Sequence, residues 1–402
     1  MSTTMKVFHH CALVVLAMTL LDAHAATNNP AAKVVTVSTT CTDASGNARD
    51  NCFTSVNSAV AWMASTRKPN ATNPLAVNIE PGNFHGNIFI TCDPSNGYTG
   101  YTSFNGSGRE QSLITGPGSG SSSPLNVRNC TEMNFSSLRI AGKSGFAYGG
   151  VYWFGGGNST WSDVDIISNG RAWIDSECGT TRGQHRWYSS RLHVNTAFTV
   201  GVSYLAYCDE TWFYGSEIVS ETAASQSLGG GAVLQAMDQG IIHVYGSNVR
   251  AFMYGTALGP TPAIVSAGGS GEIHVHGTGI DLVSTSAVNY NVLNAGDNGR
   301  VHANSLAYNL NVPAGAIISR IAKAGSGHVH APYLWEHIPD TDGNPSTVDT
   351  NFVSANGADQ TIVTAGTSDG QPHPAIYSTS CVAQTGGMSA WYDTVDKVCR
   401  GH

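Results

Sequence analysis

The chain has 402 residues, of which 11% are charged and 46 are glycine, with Ser, Thr and Asn filling long stretches. That composition is poor in the Glu, Lys and Leu that build exposed helices, which excludes helical bundles and coiled coils. An apolar share of 41% with a net charge of -8 is enough to bury a core and excludes a wholly disordered chain. With no Lys/Arg cluster, nucleic acid is not expected as a partner.

Residues 1–25 read as a secretory signal: Lys6 in a short basic region, an apolar run from Cys11 to Met18, and Ala23-His24-Ala25 ahead of Ala26. That run is too short to cross a bilayer, and no other stretch of 18 apolar residues exists, so a secreted or periplasmic chain with no membrane span is expected. Beyond Cys11 there are eight cysteines and no CxxC, an even set that favours disulfides in an exported chain. Local closure suggests Cys41 with Cys52 and Cys381 with Cys399.

Residues 26–74 read as an N-terminal cap. Within it, Ser55–Ala64 places Val56, Ala59, Val60 and Met63 on one helical face, with Pro69 beyond its end. Next, Leu75–Ile90 gives a strand, a Pro81-Gly82 turn and a second strand, and residues 94–125 read as a long loop.

Five later segments share one alternating pattern: Glu210–Tyr214, Ile241–Tyr245, Glu272–His276, Arg300–Asn304 and His328–Pro332. Their second residues, Thr211, Ile242, Ile273, Val301 and Val329, are spaced by 31, 31, 28 and 28, and His185 lies 26 before the first. Each unit holds a short strand followed by Gly, Ser, Thr or Asn, and none holds an amphipathic helix. The units are too short for propeller blades of ~40–50 residues and lack a leucine-rich signature. An all-β, right-handed parallel β-helix over 75–339 is therefore expected, with coils stacked at roughly 4.8 Å. Thr211/Ile242/Ile273/Val301/Val329 and Phe213/Val244/Val275/Ala303/Ala331 then become inward columns. Cys178 and Cys208, about one coil apart, are expected to be paired. Residues 340–372 read as a linker or irregular cap, and 373–402 as a C-terminal element stapled by disulfide.

The capping helix followed by IEPGNFHGNIFI at 79–90 resembles the first coil of the pectin-lyase-like superfamily, pectinesterases included. Ala232–Tyr245 also resembles the pectinesterase coil that carries QAVAL. The rest of that family's active site is not matched: Met253-Tyr254-Gly255 stands where a Gln-Asp pair belongs, Gly277–Val283 with Asp281 only loosely echoes an aspartate motif, and an LGRPW arginine is missing. The motifs of calcium-type pectate lyases and polygalacturonases are absent as well. The resemblance implies a carbohydrate-active β-helix and leaves Asp238 and Asp281 as the sole candidates for ester hydrolysis.

On the outward face the coils present Arg186, Trp212, His243, His274, His302 and His330 in one column and Tyr188, Tyr214, Tyr245 and His276 in the next. Aromatic rings beside Arg, His and Glu suit sugars, and a long grooved face suits a polymer, so polysaccharide is the expected partner. Beside the ester hydrolysis just considered, two chemistries fit these residue types. β-Elimination on a uronate polymer needs a base, a neutraliser of the carboxylate and a proton donor, for which His243 or Tyr214 and Arg186 are candidates. Tyr188, Trp212, Tyr245, His274, His276 and His302 are then the expected binding residues. Hydrolysis needs a carboxylate pair, and Glu210 and Glu272 lie two coils apart, roughly 9.6 Å by coil rise. The alternatives are a non-catalytic carbohydrate-binding or adhesin solenoid and a pectinesterase-like carbohydrate esterase; the blandest reading is that the columns simply stabilise the coils. No cofactor is required by any of these readings. His274/His276 and His328/His330 form HxH pairs that can chelate Zn²⁺ or Cu²⁺, but spacing fixes no third ligand. The loop with Asp340, Asp342, Asn344 and Asp349 is oxygen-rich like a calcium loop but lacks its glycine and its bidentate Glu.

Overall fold

The computed structural model describes residues 28–116, 123–142, 149–175, 182–196, 204–222, 227–228, 232–254, 256–257, 263–285, 289–304, 306–311, 317–323 and 328–330, and beyond these the strands at 334–337, 353–354, 362–366, 372–377, 390–393 and 398–401. Residues 1–25, read as a secretory signal, and Cys178, Ala331, the Asp340–Asp349 stretch and Cys381 lie outside the described residues.

Three parallel sheets of twelve, ten and ten strands run the length of a β-helix. A single coil illustrates the rule: Gln184–Tyr188 enters the first sheet, Arg191–Thr196 the second and Tyr204–Ala206 the third, before Glu210–Tyr214 returns to the first. From Leu75 onwards the strands of these sheets pair in parallel with their equivalents one coil away, so the polypeptide repeat becomes a vertical column of like positions. In the first sheet Thr211, Ile242, Ile273, Val301 and Val329 are in register and buried, as are Phe213, Val244, Val275 and Ala303.

The coils extend further towards the N-terminus than the repeat suggests. Leu75, Thr102, Met133 and Ser159 continue the first inward column upstream of His185. Residues 94–125 are correspondingly not a loop: Gly100–Gly106 belongs to the first sheet and Ser112–Thr115 to the second. The reason the pattern is hard to see there is chemical, because a solenoid requires only that each slot point inward, and Thr102 or Ser159 can fill an inward slot when its hydroxyl is hydrogen-bonded.

The second inward column is aromatic in its upstream half. Phe104, Phe135, Trp161, Trp187 and Phe213 stack ring on ring, with successive centroids 5.3, 4.1, 4.8 and 5.7 Å apart. Trp173 and Tyr204 from the third sheet meet this stack edge-on. Downstream the column shrinks through Val244 and Val275 to Ala303, so the coils lose buried ring area towards the C-terminal end.

The turn from the first to the second sheet explains the Gly-Ser/Thr pairs of the repeat. Ser137, Asp163, Ser189, Gly215, Gly246 and Gly277 occupy one slot on successive coils, and all have φ between 48° and 56°. That left-handed conformation carries no steric cost for glycine. The next slot holds buried Ser190, Ser216, Ser247 and Thr278. There the Ser216 Oγ accepts from the Ser190 N–H at 3.3 Å, and the Ser247 Oγ accepts from the Ser216 N–H at 3.0 Å. On the outer side of the second sheet Arg139, Asp165, Arg191 and Glu217 alternate in one column, and Glu217 also meets Arg250, which pairs with Asp281 in another, an arrangement that avoids the repulsion that a column of one sign brings.

The N-terminal end is covered by the helix Val56–Trp62, capped by the Ser55 hydroxyl, which accepts from the Ser58 N–H at 3.1 Å. Its buried face is Val56, Ala59 and Val60, continued by Met63 in the π-turn Met63–Arg67, as the apolar spacing predicts. The Cys41–Cys52 disulfide is formed, and a second one joins Cys92 to Cys130, one coil apart. Cys208 is also disulfide-bonded. At the other end Ile362–Gly366, Pro372–Tyr377, Ala390–Asp393 and Val398–Gly401 form an antiparallel sheet, which begins inside the stretch read as a linker. No helix among the described residues is long and apolar enough to cross a membrane.

The aromatic column predicts a sharp contrast between two tryptophans of the first sheet that stand two coils apart. Trp161→Ala should cost about 3–5 kcal/mol of stability, whereas Trp212→Ala, on the outward face, should cost far less. Denaturant titration of the two variants reads the difference.

Candidate functional site

Among the described residues, the outward face of the first sheet brings the side chains from Gln184 to His302 together in columns, as the repeat predicts. Gln184, Glu210, Ile241, Glu272 and Arg300 form one column, and Arg186, Trp212, His243, His274 and His302 the next. Tyr188, Tyr214, Tyr245 and His276 form the third. The backbone of His330 is in register with His302.

The rings are not spread as platforms. Trp212, His243, His274 and His302 lie nearly parallel with centroids 5.4, 4.7 and 4.8 Å apart, and the Arg186 guanidinium sits over Trp212 at 5.0 Å. Tyr188, Tyr214, Tyr245 and His276 stack at 5.2, 5.5 and 5.1 Å. Ring faces are therefore turned towards each other along the helix axis, and the edges, with their N–H, N and O–H groups, point outwards. The expectation that sugars lie flat on these rings is corrected by this stacking. Tyr188, at the upstream end of its column and 39% exposed, is the ring best placed to offer a face.

Carboxylates from the first column reach the imidazoles of the second. His243 Nε2 is 3.0 Å from Glu210 Oε1. Glu272 Oε1 is 2.8 Å from His274 Nε2 and 3.4 Å from His302 Nε2. Arg186 donates to Gln184 Oε1 at 2.9 Å. Burial, then the neighbouring His243 charge, holds His274 below the ordinary imidazole range against the opposing pull of Glu272. Burial and His274 lower His276 as well. Burial, reinforced by the adjacent Tyr188 and Tyr245, raises the Tyr214 phenol. At neutral pH the face thus carries neutral His274 and His276 and a protonated Tyr214.

Glu210 and Glu272 do not form a hydrolytic pair of free carboxyls. Ile241 stands between them in the column, and each is hydrogen-bonded to imidazole. Asp238 and Asp281 are not brought together either. Asp238 is exposed in the turn that leads into Ile241–Tyr245, whereas Asp281 lies on the second sheet and binds Arg250 at 3.0 Å.

Inside the coils is a constellation that alternation alone did not single out. His185 lies inward between Ser159 and Thr211, with Nδ1 2.7 Å from Ser159 Oγ and Nε2 3.0 Å from Asp209 Oδ2. Trp161 Nε1 donates to the same Ser159 hydroxyl at 2.6 Å, and the Trp153 and Trp173 rings each stand 5.0 Å from the imidazole. Although the residue types are those of a nucleophilic triad, Ser159, His185 and Asp209 are 1%, 0% and 1% exposed, so no substrate reaches the hydroxyl. The network satisfies buried polar groups. The signal available in the sequence was the polar interruption of an otherwise apolar inward column. Behind it Asp175 accepts from the Asp209 N–H at 3.1 Å, and burial, then the Asp209 charge, pushes its carboxyl up to about 7.

No family model matches the chain, and no curated protein sequence does. Among solved structures the chain is similar to a pectin methylesterase mutant in complex with a hexasaccharide, at 14% identity and a TM-score of 0.39, covering 65% of this chain and 81% of that one.

Because Asp175 binds its proton more tightly folded than unfolded, its contribution to stability is full below the unfolded value of 3.8 and is lost as pH rises through about 7. Across that window wild-type stability should fall with pH, by at most about 1.4 kcal/mol per unit from this group. Asp175→Asn should flatten the slope, as read from melting temperature against pH.

Proposed function

We propose that the protein is an exported polysaccharide-binding β-helix that cleaves a uronate-containing polymer by β-elimination on the outward face of the first sheet. The observation that carries this reading is the His243–Glu210 pair, at 3.0 Å, on an open face that also holds the Arg186 cation two coils upstream. An imidazole held by a carboxylate is oriented as a base, and a guanidinium neutralises the uronate carboxylate, which acidifies the carbon-bound proton beside it. His243 takes that proton, the electron pair forms the new carbon–carbon double bond, and the glycosidic C–O bond breaks. The departing oxygen takes a proton from the Tyr214 phenol, whose raised proton affinity keeps it protonated in the resting state. Outward-pointing edges of Tyr188, Trp212, Tyr245, His274, His276 and His302 supply hydrogen bonds to hydroxyls and carboxylates along the chain. The disulfides, and the lack among the described residues of a helix able to span a membrane, support an extracellular or periplasmic setting.

One observation favours a second, non-catalytic reading. Arg186 is already engaged by Gln184 and Trp212, and the ring columns cover their own faces, as a purely stabilising ladder does.

Incubation with a panel of uronate polymers separates the two readings. Elimination yields unsaturated chain ends, visible by ultraviolet absorbance, and His243→Ala should lower that rate by about 10²–10⁴-fold while retaining polymer binding. Binding without unsaturated product on any polymer rejects the lyase and leaves the adhesin-like reading. Release of acid without chain shortening identifies an esterase instead.

A further inference from the structure

We propose that Glu272, His274 and His302 form a binding site for a divalent transition-metal ion of the zinc class, bridging two consecutive coils. It stands independently of the polysaccharide reading. Glu272 and His274 come from one strand and His302 from the next, with His274 and His302 in direct register. One ligand atom from each of the three residues lies within 4.8 Å of the other two. Two of the three separations are 2.8 and 3.4 Å. A tetrahedral Zn²⁺ with N and O ligands near 2.0–2.2 Å requires neighbouring ligand atoms roughly 3.3–3.5 Å apart. The trio therefore needs adjustments of about an ångström, within the reach of side-chain rotation.

The hydrogen-bond geometry supports this placement. Both imidazoles direct Nε2 at the same carboxylate oxygen, so the space where their two protons converge is where a cation would sit. On binding, each proton leaves Nε2 and the imidazole coordinates as the Nδ1–H tautomer, its lone pair on the ion. Two imidazoles and a carboxylate make the donor set of an open zinc site, and imidazole favours Zn²⁺ and Cu²⁺ over Ca²⁺ or Mg²⁺. The three side chains are 25–29% exposed, so an ion can enter and a fourth position faces water.

The chelating pair crosses between coils and is not the HxH pair on one strand. His276 belongs to the tyrosine column, with its ring centroid 6.2 Å from that of His274, and stacks on Tyr245. The coil rise itself brings His302 to within 4.8 Å of His274, although 28 residues separate them.

Isothermal titration of the purified protein with ZnCl₂, in the absence of polysaccharide, tests the site. One Zn²⁺ per chain is expected. Glu272→Gln and His302→Ala should each weaken binding by at least about tenfold, and His276→Ala should bind as wild type does. Metal-free melting curves show which variants remain folded, and Glu272→Gln, nearly isosteric, keeps the test sharp if His302→Ala does not. No binding by wild type overturns the proposal, as does wild-type affinity in folded Glu272→Gln. Loss of binding in His276→Ala with retention in His302→Ala overturns it in favour of the in-strand pair.

Discussion

Every feature of this molecule follows from the requirement that each strand hydrogen-bond to its own equivalent one coil away. Parallel pairing at ~4.8 Å leaves each side chain with two obligatory neighbours, the same slot of the coil above and of the coil below. A column is stable only if its members tolerate one another. The interior meets that demand with stacked aromatic rings and then aliphatic side chains. The second sheet meets it by alternating Arg with Glu and Asp, and the turns by repeating a left-handed residue followed by a hydroxyl. The first sheet's outer face meets it with imidazole on indole and imidazole on imidazole.

Stacked imidazoles are a particular solution. Side by side, protonated histidines repel, and part of what lowers His274 is the His243 charge. The carboxylates of Glu210 and Glu272 answer this by accepting from the imidazole N–H groups. The arrangement that stabilises the column thus also assembles the His243–Glu210 pair and the Glu272–His274–His302 cluster. The proposed chemistry would use the same atoms that stabilise the column, which is why product analysis is needed to separate the two readings of the face.

The coils from residue 210 onwards were legible in the sequence because their inward slots, Thr211 aside, are apolar and their turns carry Gly215-Ser216, Gly246-Ser247 and Gly277-Thr278. With the register known, the outward columns followed by simple alternation. What stayed hidden has physical reasons. The upstream coils hold Thr102, Ser159 and His185 at inward slots, and these become acceptable only through partners that the three-dimensional winding provides, such as Asp209. Cys92 and Cys130 are 38 residues apart, yet they close one coil, a distance that local closure does not suggest. The orientation of the rings, edge-out and face-covered, is set by stacking between coils and has no trace in a single strand. The pairing of His274 with His302 instead of His276 has the same origin.

The taper of the inner column gives the molecule a direction. Each coil touches only its neighbours, so cohesion adds up locally along the axis. The upstream coils share tryptophan and phenylalanine rings and carry the Cys92–Cys130 bridge, whereas the downstream ones meet through valine and alanine. Pulled from both ends, such a rod would yield first among its aliphatic coils, and a cation held by Glu272, His274 and His302, as proposed, would rivet two of those coils together.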